Sequence, residues 1–278
     1  MRILVSGGSS GIGAAIAAAG VARAHHVFAG GRRFRTLQCS SHADGRLVDI
    51  PLDVRDFLSC RAAVAEMVKR VGGVDVLVAS AGLAAAGAFE ETPIEEFHRV
   101  MDVNFYGVVR TIKAVLPEMR AARSGLVIVI SSLSGLVGLP GDSAYAASKF
   151  ALEGACEALA PEVAQFGVEV VLVEPGGVDT PLLEAAPPAP GDLAGAYGAF
   201  NAFLRNRAES RRGGAGADEI AAEIWGIIEN RGGPLRRPVG AQAKKIASLL
   251  PTLSDDARRQ LALDASGLQW WRDGEDAP

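Results

Sequence analysis

The sequence predicts an α/β fold with a doubly wound parallel sheet of about seven strands and helices on both faces. Short β-type runs alternate with longer helical stretches from Arg2 to Val239. A glycine-rich turn directly follows the first run. The run Val74–Ala79 is apolar throughout, as in strands buried on both faces. We expect one domain over residues 1–240 and a helical extension with a polar tail over residues 241–278.

The composition is that of an ordinary globular protein and argues against several classes. The 278 residues carry a net charge of −4, which gives no general attraction to nucleic acid or to an anionic membrane. The three cysteines lack metal-ligand spacing, so we expect no metal site, reduced thiols and a cytoplasmic protein. Neither a leader segment nor an apolar stretch of about 18 residues is present, so we expect no membrane span.

The first strand, Arg2–Ser6, leads into a glycine-rich turn and then an alanine-rich helix that reaches about Arg23. Glycine allows a sharp turn and close approach of the backbone to a phosphate, and the helix start favours an anion. A tight turn without a ligand is the alternative. The predicted phosphate-binding residues are Gly7, Ser9, Ser10, Gly11, Ile12 and Gly13.

The second strand, His26–Gly31, ends in Arg32 and Arg33. An acidic residue commonly occupies the end of this strand when the ligand is NAD, because it binds the ribose 2′-hydroxyl. Gly31 stands there instead, and Arg32 can pair with a 2′-phosphate. The pattern favours NADP over NAD, with two solvated arginines as the alternative.

A looser segment, residues 34–45, precedes a third strand over residues 46–52. Asp53 and Val54 follow at its carboxyl end, where ligands bind in such sheets. Asp53 could accept a hydrogen bond from an adenine amino group, or it could cap a helix over residues 55–71. The fourth strand, Val74–Ala79, ends in Ser80, Ala81 and Gly82, whose small size lets a ring or ribose approach the backbone.

Residues 93–119 predict one long helix with Asn104 in its middle, where asparagine has poor helix propensity. A buried asparagine there needs hydrogen-bond partners. Asn104 is therefore either a packing residue or a relay that holds water near a lysine described next.

The fifth strand, Gly125–Ile130, ends at Ser131 and Ser132, and a helix over residues 142–166 carries Tyr145 and Lys149. Their spacing of four residues places both side chains on one helix face. A free phenol has a pKa near about 10, and a nearby ammonium favours the phenolate. Ser132 could donate a hydrogen bond to the same reacting oxygen. A surface tyrosine and lysine on an ordinary helix are the alternative.

The sixth strand, residues 168–173, is followed by a loop that we expect beside the cofactor. Its candidate binding residues are Pro175, Gly176, Val178 and Thr180.

Residues 181–216 form a long insertion, which in a compact fold is commonly a lid or binding element. Its prolines are Pro187, Pro188 and Pro190, its aromatics Tyr197, Phe200 and Phe203, and its arginines Arg205, Arg207, Arg211 and Arg212. The aromatics suggest an apolar substrate wall or a helix packed on the domain, and the arginines suggest a solvated face rather than an acidic partner.

A helix over residues 217–230 and a short last strand, Arg236–Val239, follow the insertion. The extension is helical to about Leu263. The tail carries Trp270 and Trp271, which cover either the substrate cleft or a subunit interface.

In combination, these motifs resemble the short-chain dehydrogenase/reductase family, in its compact single-domain branch, over about residues 2–180. Ser6 and the glycines match the family's Thr-Gly-x-x-x-Gly-x-Gly, with serine in place of threonine. Asn104, Ser132, Tyr145 and Lys149 fall at its catalytic tetrad. Residues 79–82 depart from the usual Asn-Asn-Ala-Gly, which puts local rigidity in doubt. Residues 138–154 are similar to the branch acting on 17β-hydroxysteroids and retinoids.

The resemblance implies reversible hydride transfer between NADP(H) and a small-molecule carbonyl or alcohol. Tyr145 would be the general acid or base, Lys149 would tune it and bind the cofactor, Ser132 would hold the substrate oxygen, and Asn104 would anchor a water. Family members pair through the helices over residues 93–119 and 142–166, so the resemblance implies a homodimer or homotetramer.

Two other classes of function are weaker. A non-catalytic NADP-binding regulator on the same fold commonly lacks the tyrosine or the lysine, and this chain has both. Rossmann-fold epimerases and dehydratases show Gly-x-x-Gly-x-x-Gly, and P-loop NTPases need Gly-Lys-Ser/Thr; neither pattern is present at this turn.

Overall fold

A computed structural model describes residues 1–34, 38–42, 45–184, 195–210 and 214–277. The strands of its main sheet are β1 (Arg2–Ser6), β2 (His26–Gly31), β3 (Gln38–His42), β4 (Gly45–Pro51), β5 (Val76–Ala79), β6 (Gly125–Ile130), β7 (Val168–Pro175) and β10 (Arg236–Val239), and β8 (Val178–Asp179) pairs with β9 (Ala215–Gly216) in a second sheet. The eight strands of the main sheet have the order β10-β7-β6-β5-β1-β2-β4-β3. All neighbours in this sheet are parallel except the pair β3 and β4.

Helices cover both faces of the main sheet, which confirms the predicted doubly wound fold. The helices are α1 (Gly11–Ala22), α2 (Phe57–Val71), α3 (Ile94–Met101), α4 (Gly107–Ala122), α5 (Ser143–Ala164), α6 (Pro181–Glu184), α7 (Gly198–Ser210), α8 (Ala217–Glu229), α9 (Ala241–Leu249), α10 (Asp255–Ser266) and α11 (Gln269–Asp273). On one face of the sheet, apolar residues of α2, α4 and α5 pack against the strands, and on the other face, apolar residues of α1 and α8 do so. None of the helices, over the described residues, has the length and apolar character needed to cross a bilayer.

The segment 34–45, predicted to be loose, contains strand β3. This strand pairs antiparallel with β4, from Gln38 opposite Asp49 to His42 opposite Gly45. The run Gln-Cys-Ser-Ser-His has no apolar alternation, and so it carries no strand signal. The seven strands that were predicted are the parallel ones.

The predicted helix over residues 93–119 is interrupted. Helix α3 passes into a π-helical turn, Asp102–Tyr106, and α4 then continues to Ala122. Such a turn inserts one residue into the helical hydrogen-bond pattern and is frequent at functional sites. The apolar spacing on either side of the insertion resembles that of a single helix, which is why the sequence did not reveal it.

The tail of the chain is more ordered than predicted. Beyond Leu263 the chain continues to the end of α10 at Ser266 and then forms α11, which carries Trp270 and Trp271. Trp270 is 7% exposed and belongs to a small apolar cluster with Phe200, Leu204 and Leu268. The two tryptophans therefore pack on α7 within the same chain.

Candidate active site

The candidate site lies along the edge formed by the carboxyl ends of the parallel strands. Ser6 at the end of β1 pairs with Ala79 at the end of β5, Ala79 pairs with Val129, and Ile130 pairs with Val173. The residues that follow these strands are therefore brought together at one edge. The sheet order reverses between β1 and β5, and crevices at such a reversal are where ligands bind in open α/β sheets.

The glycine turn after β1 is shaped by close contacts that only glycine permits. Gly7 has φ +74°, and a Cβ on it would lie 2.7 Å from the Cα of Ala81. A Cβ on Gly13 would meet the carbonyl oxygen of Gly7. Ser80, Ala81 and the turn thus pack backbone to backbone. The small residues after β5 are what permit this approach.

The start of α1 presents free hydrogen-bonding groups. Ser10 is the N-cap with extended backbone, yet its hydroxyl makes no capping hydrogen bond, and no acidic residue lies in the first turn. The first N–H groups of a helix have no partner within the helix. Gly11, with φ +54°, lies against Thr180, whose Cβ would be 3.3 Å from a Cβ on Gly11. The loop after β7 therefore reaches the glycine turn, and the predicted contact of Thr180 with a cofactor stays a prediction.

Arg32 and Arg33 follow β2 and are both exposed. A Cβ on Gly31 would lie 3.0 Å from the Ser9 hydroxyl oxygen, so Ser9 and Gly31 leave little room for an acidic side chain. The pKa of Asp53 is lowered mainly by its hydrogen bond from Arg55, with a smaller effect from Arg32. Arg32 thus lies at the same edge as Asp53.

The helix-cap alternative for Asp53 is wrong. The N-cap of α2 is Asp56, whose side chain accepts from the Leu58 N–H at 2.9 Å. The Asp53 carboxylate instead pairs with Arg55 at 2.7 Å. The side chain of Val54 is buried against the position of Gly107, where a Cβ would lie 2.7 Å from it. Only the backbone of Val54 is left to face a ligand.

Lys149 and Tyr145 lie one turn apart on α5, as predicted. The Lys149 ammonium donates to the Ile130 carbonyl at 2.8 Å and lies 5.5 Å from the centre of the Tyr145 ring. Lys149 is 5% exposed. Burial lowers the pKa of Lys149 to about 8, and the carboxylate of Glu153 opposes that effect. Burying an ammonium group costs free energy, and titratable groups with strongly shifted pKa values cluster at functional sites. Lys149 is therefore a candidate functional residue.

Ser132 follows the end of β6 and begins a 3₁₀ turn, Leu133–Gly135. Its hydroxyl oxygen accepts from the Ser134 N–H at 3.1 Å. A hydroxyl that accepts one bond still has its own hydrogen to donate. Ser132 can therefore donate to an oxygen placed at this edge.

Asn104 lies in the π-helical turn and is fully buried. Its Oδ1 accepts from the Leu83 N–H at 2.7 Å, and its Nδ2 donates to the Leu83 carbonyl at 2.9 Å and to the Ser148 hydroxyl at 3.0 Å. The side-chain amide thus braces the segment after β5 against α5, as the packing interpretation requires.

The loop after β7 is fixed from the C-terminal side. The Gly177 N–H donates to Oε1 of Gln242 on α9 at 3.0 Å, and a Cβ on Gly176 would lie 2.8 Å from the same oxygen. Val178 pairs with Ala215 in the small second sheet. Pro175 ends β7 opposite Val239. Gln242 was not predicted, because nothing in its sequence context marks it.

The predicted aromatic substrate wall is largely a packing cluster. The Phe200 and Trp271 rings are tilted relative to each other with centroids 5.3 Å apart, and the Phe203 and Trp270 rings make an edge contact with centroids 5.6 Å apart. The part of α7 that reaches toward the site is Leu204, whose Cδ1 would lie 2.7 Å from a Cβ on Gly141, just before α5. Pro187, Pro188, Pro190, Arg211 and Arg212 lie outside the described residues, as does the side chain of Arg207.

A buried acid was also missed. Glu153 lies four residues after Lys149 on α5 and is 4% exposed. Its position on the same helix face as Lys149 is the signal that could have indicated it.

Two cavities among the described residues lie away from the candidate site. One of about 710 Å³ lies at the opposite edge of the sheet, where Arg23 and His25 are among its lining residues. Another of about 360 Å³ lies beside Tyr106 and Arg110. No predicted site residue lines either cavity. Over the described residues, no cluster of three or more histidine, cysteine or acidic side chains could hold a metal.

Known proteins resemble this chain over nearly its whole length. The sequence model of the family described as short chain dehydrogenase matches residues 1–190. A 3-ketodihydrosphingosine reductase of Bacteroides thetaiotaomicron is 35% identical over 265 residues, covering 94% of this chain and 96% of that protein. Human 17-beta-hydroxysteroid dehydrogenase type 1 is 36% identical, with 80% and 72% covered.

Two further matches bear on the branch and on the fold. Human retinol dehydrogenase 8 is 40% identical, with 64% of this chain and 59% of that protein covered. A short-chain dehydrogenase structure from Streptomyces avermitilis superimposes with a TM-score of 0.76 at 31% identity, covering 99% of both chains. The predicted similarity to steroid- and retinol-type members is confirmed, and the chain belongs to the short chain dehydrogenase family of oxidoreductases.

Proposed function

We propose that this chain is an NADP(H)-dependent oxidoreductase that interconverts a carbonyl compound and a secondary alcohol. The observation that carries the proposal is the buried Lys149 ammonium beside the ring of Tyr145, at the same sheet edge as the glycine turn. A buried cation next to a phenol provides a proton donor and acceptor that can work near neutral pH.

The described residues fit a nicotinamide dinucleotide. A Cβ on Gly7 or Gly13 would fill the space that the glycine turn leaves open. The Ser10 hydroxyl and the first N–H groups of α1 are available to an anion. Arg32 would bind a 2′-phosphate, with Arg33 beside it. Asp53 and Val54 would adjoin the adenine, Ser80 to Gly82 the ribose, and Pro175 to Thr180 the nicotinamide side. Lys149 would bind the nicotinamide ribose hydroxyls. When bound, the nicotinamide supplies or accepts the hydride.

The chain's own groups would move the proton. In reduction, the Tyr145 hydroxyl gives its proton to the substrate carbonyl oxygen, and in oxidation the phenolate takes it back. The Lys149 ammonium stabilises the phenolate that forms. The Ser132 hydroxyl donates to the substrate oxygen and stabilises the charge that develops on it. Asn104 holds the π-helical turn and the segment after β5 in place, and its backbone carbonyl would anchor a water leading to Lys149.

The substrate class that the relatives suggest is apolar. A ketosphingoid base, a steroid and a retinoid are each large and mostly hydrocarbon, and their enzymes are the matched relatives by name. Leu204 is 5% exposed and lies against Gly141, just before α5, and the segment after Ser132 carries Leu133, Leu136 and Val137. These residues would form an apolar side of the cleft. We propose a ketone or alcohol on an extended apolar skeleton.

We also propose that the chain acts as a homodimer or homotetramer. Helices α4 and α5 are those through which family members pair, and aromatic side chains are exposed beside and on them. Tyr106 is 50% exposed and Phe150 is 47% exposed. Apolar side chains of this size are commonly covered in an assembly.

The test is a panel of apolar ketones with NADPH deuterated at the transferable C4 position. Deuterium should appear on the product carbinol carbon in proportion to NADPH consumed. A non-catalytic NADP-binding regulator is the alternative. It would bind NADPH and consume none with any member of the panel, and that result would favour it.

A further inference from the structure

Two buried acids and one partly buried arginine lie beneath Lys149, and the mechanism above does not use them. Glu153 on α5 is 4% exposed, and Glu174 on β7 is fully buried. Arg236 on β10 reaches in from the side. Acidic side chains at this depth are rare unless they are paired, so their arrangement calls for a reason.

The carboxylate of Glu153 joins three elements. Its Oε1 accepts from the Ser131 hydroxyl at 2.5 Å, and its Oε2 accepts from Nε of Arg236 at 2.8 Å. A Cβ on Gly135 would lie 2.8 Å from the Ser131 hydroxyl oxygen and 3.1 Å from the Glu153 Cγ. The turn after β6 therefore closes tightly over the Ser131–Glu153 pair.

This pairing fixes the corner that carries Ser132. The Ser131 N–H donates to the Val173 carbonyl at 2.8 Å, so both its backbone and its side chain are bound. Ser132 is the next residue and starts the 3₁₀ turn. Its hydroxyl is thus placed by contacts that Glu153 completes.

Glu153 is also the charged group that faces Lys149 from one turn away. From α5 itself, Lys149 and Cys156 face Glu153; Arg236 faces it from β10, and Glu174 from β7. Burial raises the pKa of Glu174 to about 8, so it carries a proton at neutral pH. Burial also raises the pKa of Glu153, but the Ser131 hydroxyl and Arg236 favour its charged form. Of the two acids, Glu153 is the one whose carboxylate lies in an ion pair, with Arg236 at 2.8 Å.

We propose that Glu153 is a positioning residue of the active site, whose ionised carboxylate holds the Ser131–Ser132 corner against α5 and keeps the Lys149 ammonium charged. The inference rests on the proposed oxidoreductase function. A purely structural acid would supply the first effect alone, and the two effects are separable by experiment.

The main test compares pH–rate profiles of ketone reduction for wild type, Glu153→Gln and Glu157→Gln. Loss of the Glu153 charge should lower the midpoint of the alkaline limb of the pH–rate profile by about one pH unit, because a neighbouring anion favours the charged lysine. Glu157 shares Arg236 at 2.6 Å but its side chain is 63% exposed. Its variant should leave the limb in place. An unmoved limb in Glu153→Gln would overturn the electrostatic part of the proposal.

Ser131→Ala separates the positioning effect, because it removes the hydrogen bond and retains the charge. We expect kcat to fall about tenfold with the alkaline limb unchanged. A wild-type kcat in Ser131→Ala would overturn the positioning part. If Glu153→Gln does not fold, Glu153→Leu combined with Arg236→Leu replaces the buried ion pair by apolar groups, which are commonly tolerated. The limb should move down in that variant too.

A readout without turnover distinguishes the failure of this inference from the failure of the proposed function. NMR of protein labelled with ¹⁵N at the lysine Nζ, assigned with Lys149→Met, follows the titration of Lys149 directly. Its midpoint should fall in Glu153→Gln and stay in Glu157→Gln. An inactive wild type with a shifted midpoint would refute the oxidoreductase proposal alone, whereas an active wild type with unshifted midpoints would refute the role of Glu153.

Discussion

At the scale of single residues, Lys149 is the side chain on which the proposed chemistry depends most. Its ammonium has lost almost all contact with water and gains one carbonyl hydrogen bond at 2.8 Å. Such a cation costs stability unless its surroundings compensate, and here Glu153 provides part of the compensation. The same burial that is costly makes the charge effective on its neighbour, because less solvent screens it.

The choice between NADP and NAD is predicted to depend on Arg32. We expect Arg32→Leu to weaken NADPH binding by about tenfold and to leave NADH binding nearly unchanged, because a charge-assisted phosphate contact is lost. Arg231→Leu, at an exposed arginine on the opposite edge of the sheet, is the matched control and should change the affinity for neither cofactor. Titrating both variants with both cofactors by fluorescence checks this. Equal losses for the two cofactors in Arg32→Leu would contradict the assignment.

We expect that converting the site to NAD needs a third substitution, beyond Gly31→Asp and Arg32→Leu, which the sequence did not reveal. An aspartate at position 31 would meet the Ser9 side chain, whose oxygen lies 3.0 Å from the required Cβ. We therefore expect Gly31→Asp with Arg32→Leu to gain NADH binding only when Ser9→Gly is added. A full switch of preference from NADPH to NADH without Ser9→Gly would contradict this expectation, because the Ser9 side chain would then have moved away from the new aspartate.

Glu174 should make the stability of the protein depend on pH. Its pKa is raised to about 8 in the fold from an ordinary value of 4.5. The folded state therefore binds the proton more tightly, so its contribution is full below about pH 4.5 and is lost as pH rises through about 8. Glu174→Gln removes that loss. We therefore compare the Tm of Glu174→Gln with that of wild type at each pH. The difference, variant minus wild type, should be several degrees larger at pH 8.5 than at pH 5.

Differential scanning calorimetry at the two pH values measures this difference. Glu162→Gln, an exposed acid on α5, is the control and should show the same Tm difference from wild type at both pH values. A pH-independent offset for Glu174→Gln would mean that Glu174 is ionised in the fold.

At the scale of elements, α7 and α11 form one unit that the sequence presented as two. Asn201 of α7 is fully buried; its Oδ1 accepts from the Ala88 N–H at 3.2 Å, and its Nδ2 donates to Glu91 at 2.5 Å. On its other side α7 meets Trp270 and Trp271. Leu204 is thereby pressed toward Gly141, next to the start of α5. The tail thus fixes the position of Leu204, which we propose as part of the apolar side of the cleft.

Trp270→Ala should release α7. Removing a buried tryptophan leaves a cavity that costs about 3 to 5 kcal/mol in a well-packed site. We expect faster limited proteolysis within residues 181–216 and a KM for apolar ketones raised several-fold, with a smaller change in kcat. Trp270→Phe is the matched control, because it retains a ring and removes an indole N–H that has no partner among the described residues. Unchanged proteolysis in Trp270→Ala would contradict this role of the tail.

Elements whose own sequence shows a continuous apolar run were predictable. Elements that form only because they pair or pack with a neighbouring element were not. The runs Val76–Ala79 and Gly125–Ile130 are buried at every position, so their sequences alone indicate central strands. Strand β3 exists because β4 offers it hydrogen bonds, and α11 exists because α7 offers it an apolar face. Neither partner is visible in the local sequence. The π-helical turn is set by the packing of Asn104 against Leu83.

At the scale of the whole molecule, the parallel register brings the candidate site together. Gly7, Ser80, Ser132 and Gly176 are far apart in the chain, yet each follows a strand whose end meets the next one across the sheet. This convergence was predictable from the parallel sheet expected of the fold, in which ligands bind at the carboxyl ends of the strands. The polar groups behind Lys149 were not predictable. Glu153, Glu174 and Arg236 come from three different elements, Ser131 lies in the turn after β6, and the four residues share no motif.

The most direct measurement is NADPH binding and ketone reduction by Tyr145→Phe, compared with wild type under the same conditions. The substitution removes one hydroxyl and keeps the ring beside the Lys149 ammonium, so the dissociation constant of NADPH should change less than about threefold. Turnover should fall by at least about a hundredfold, since the proton donor is gone. Turnover within about tenfold of wild type, with NADPH still bound, would contradict the role of Tyr145 as the general acid.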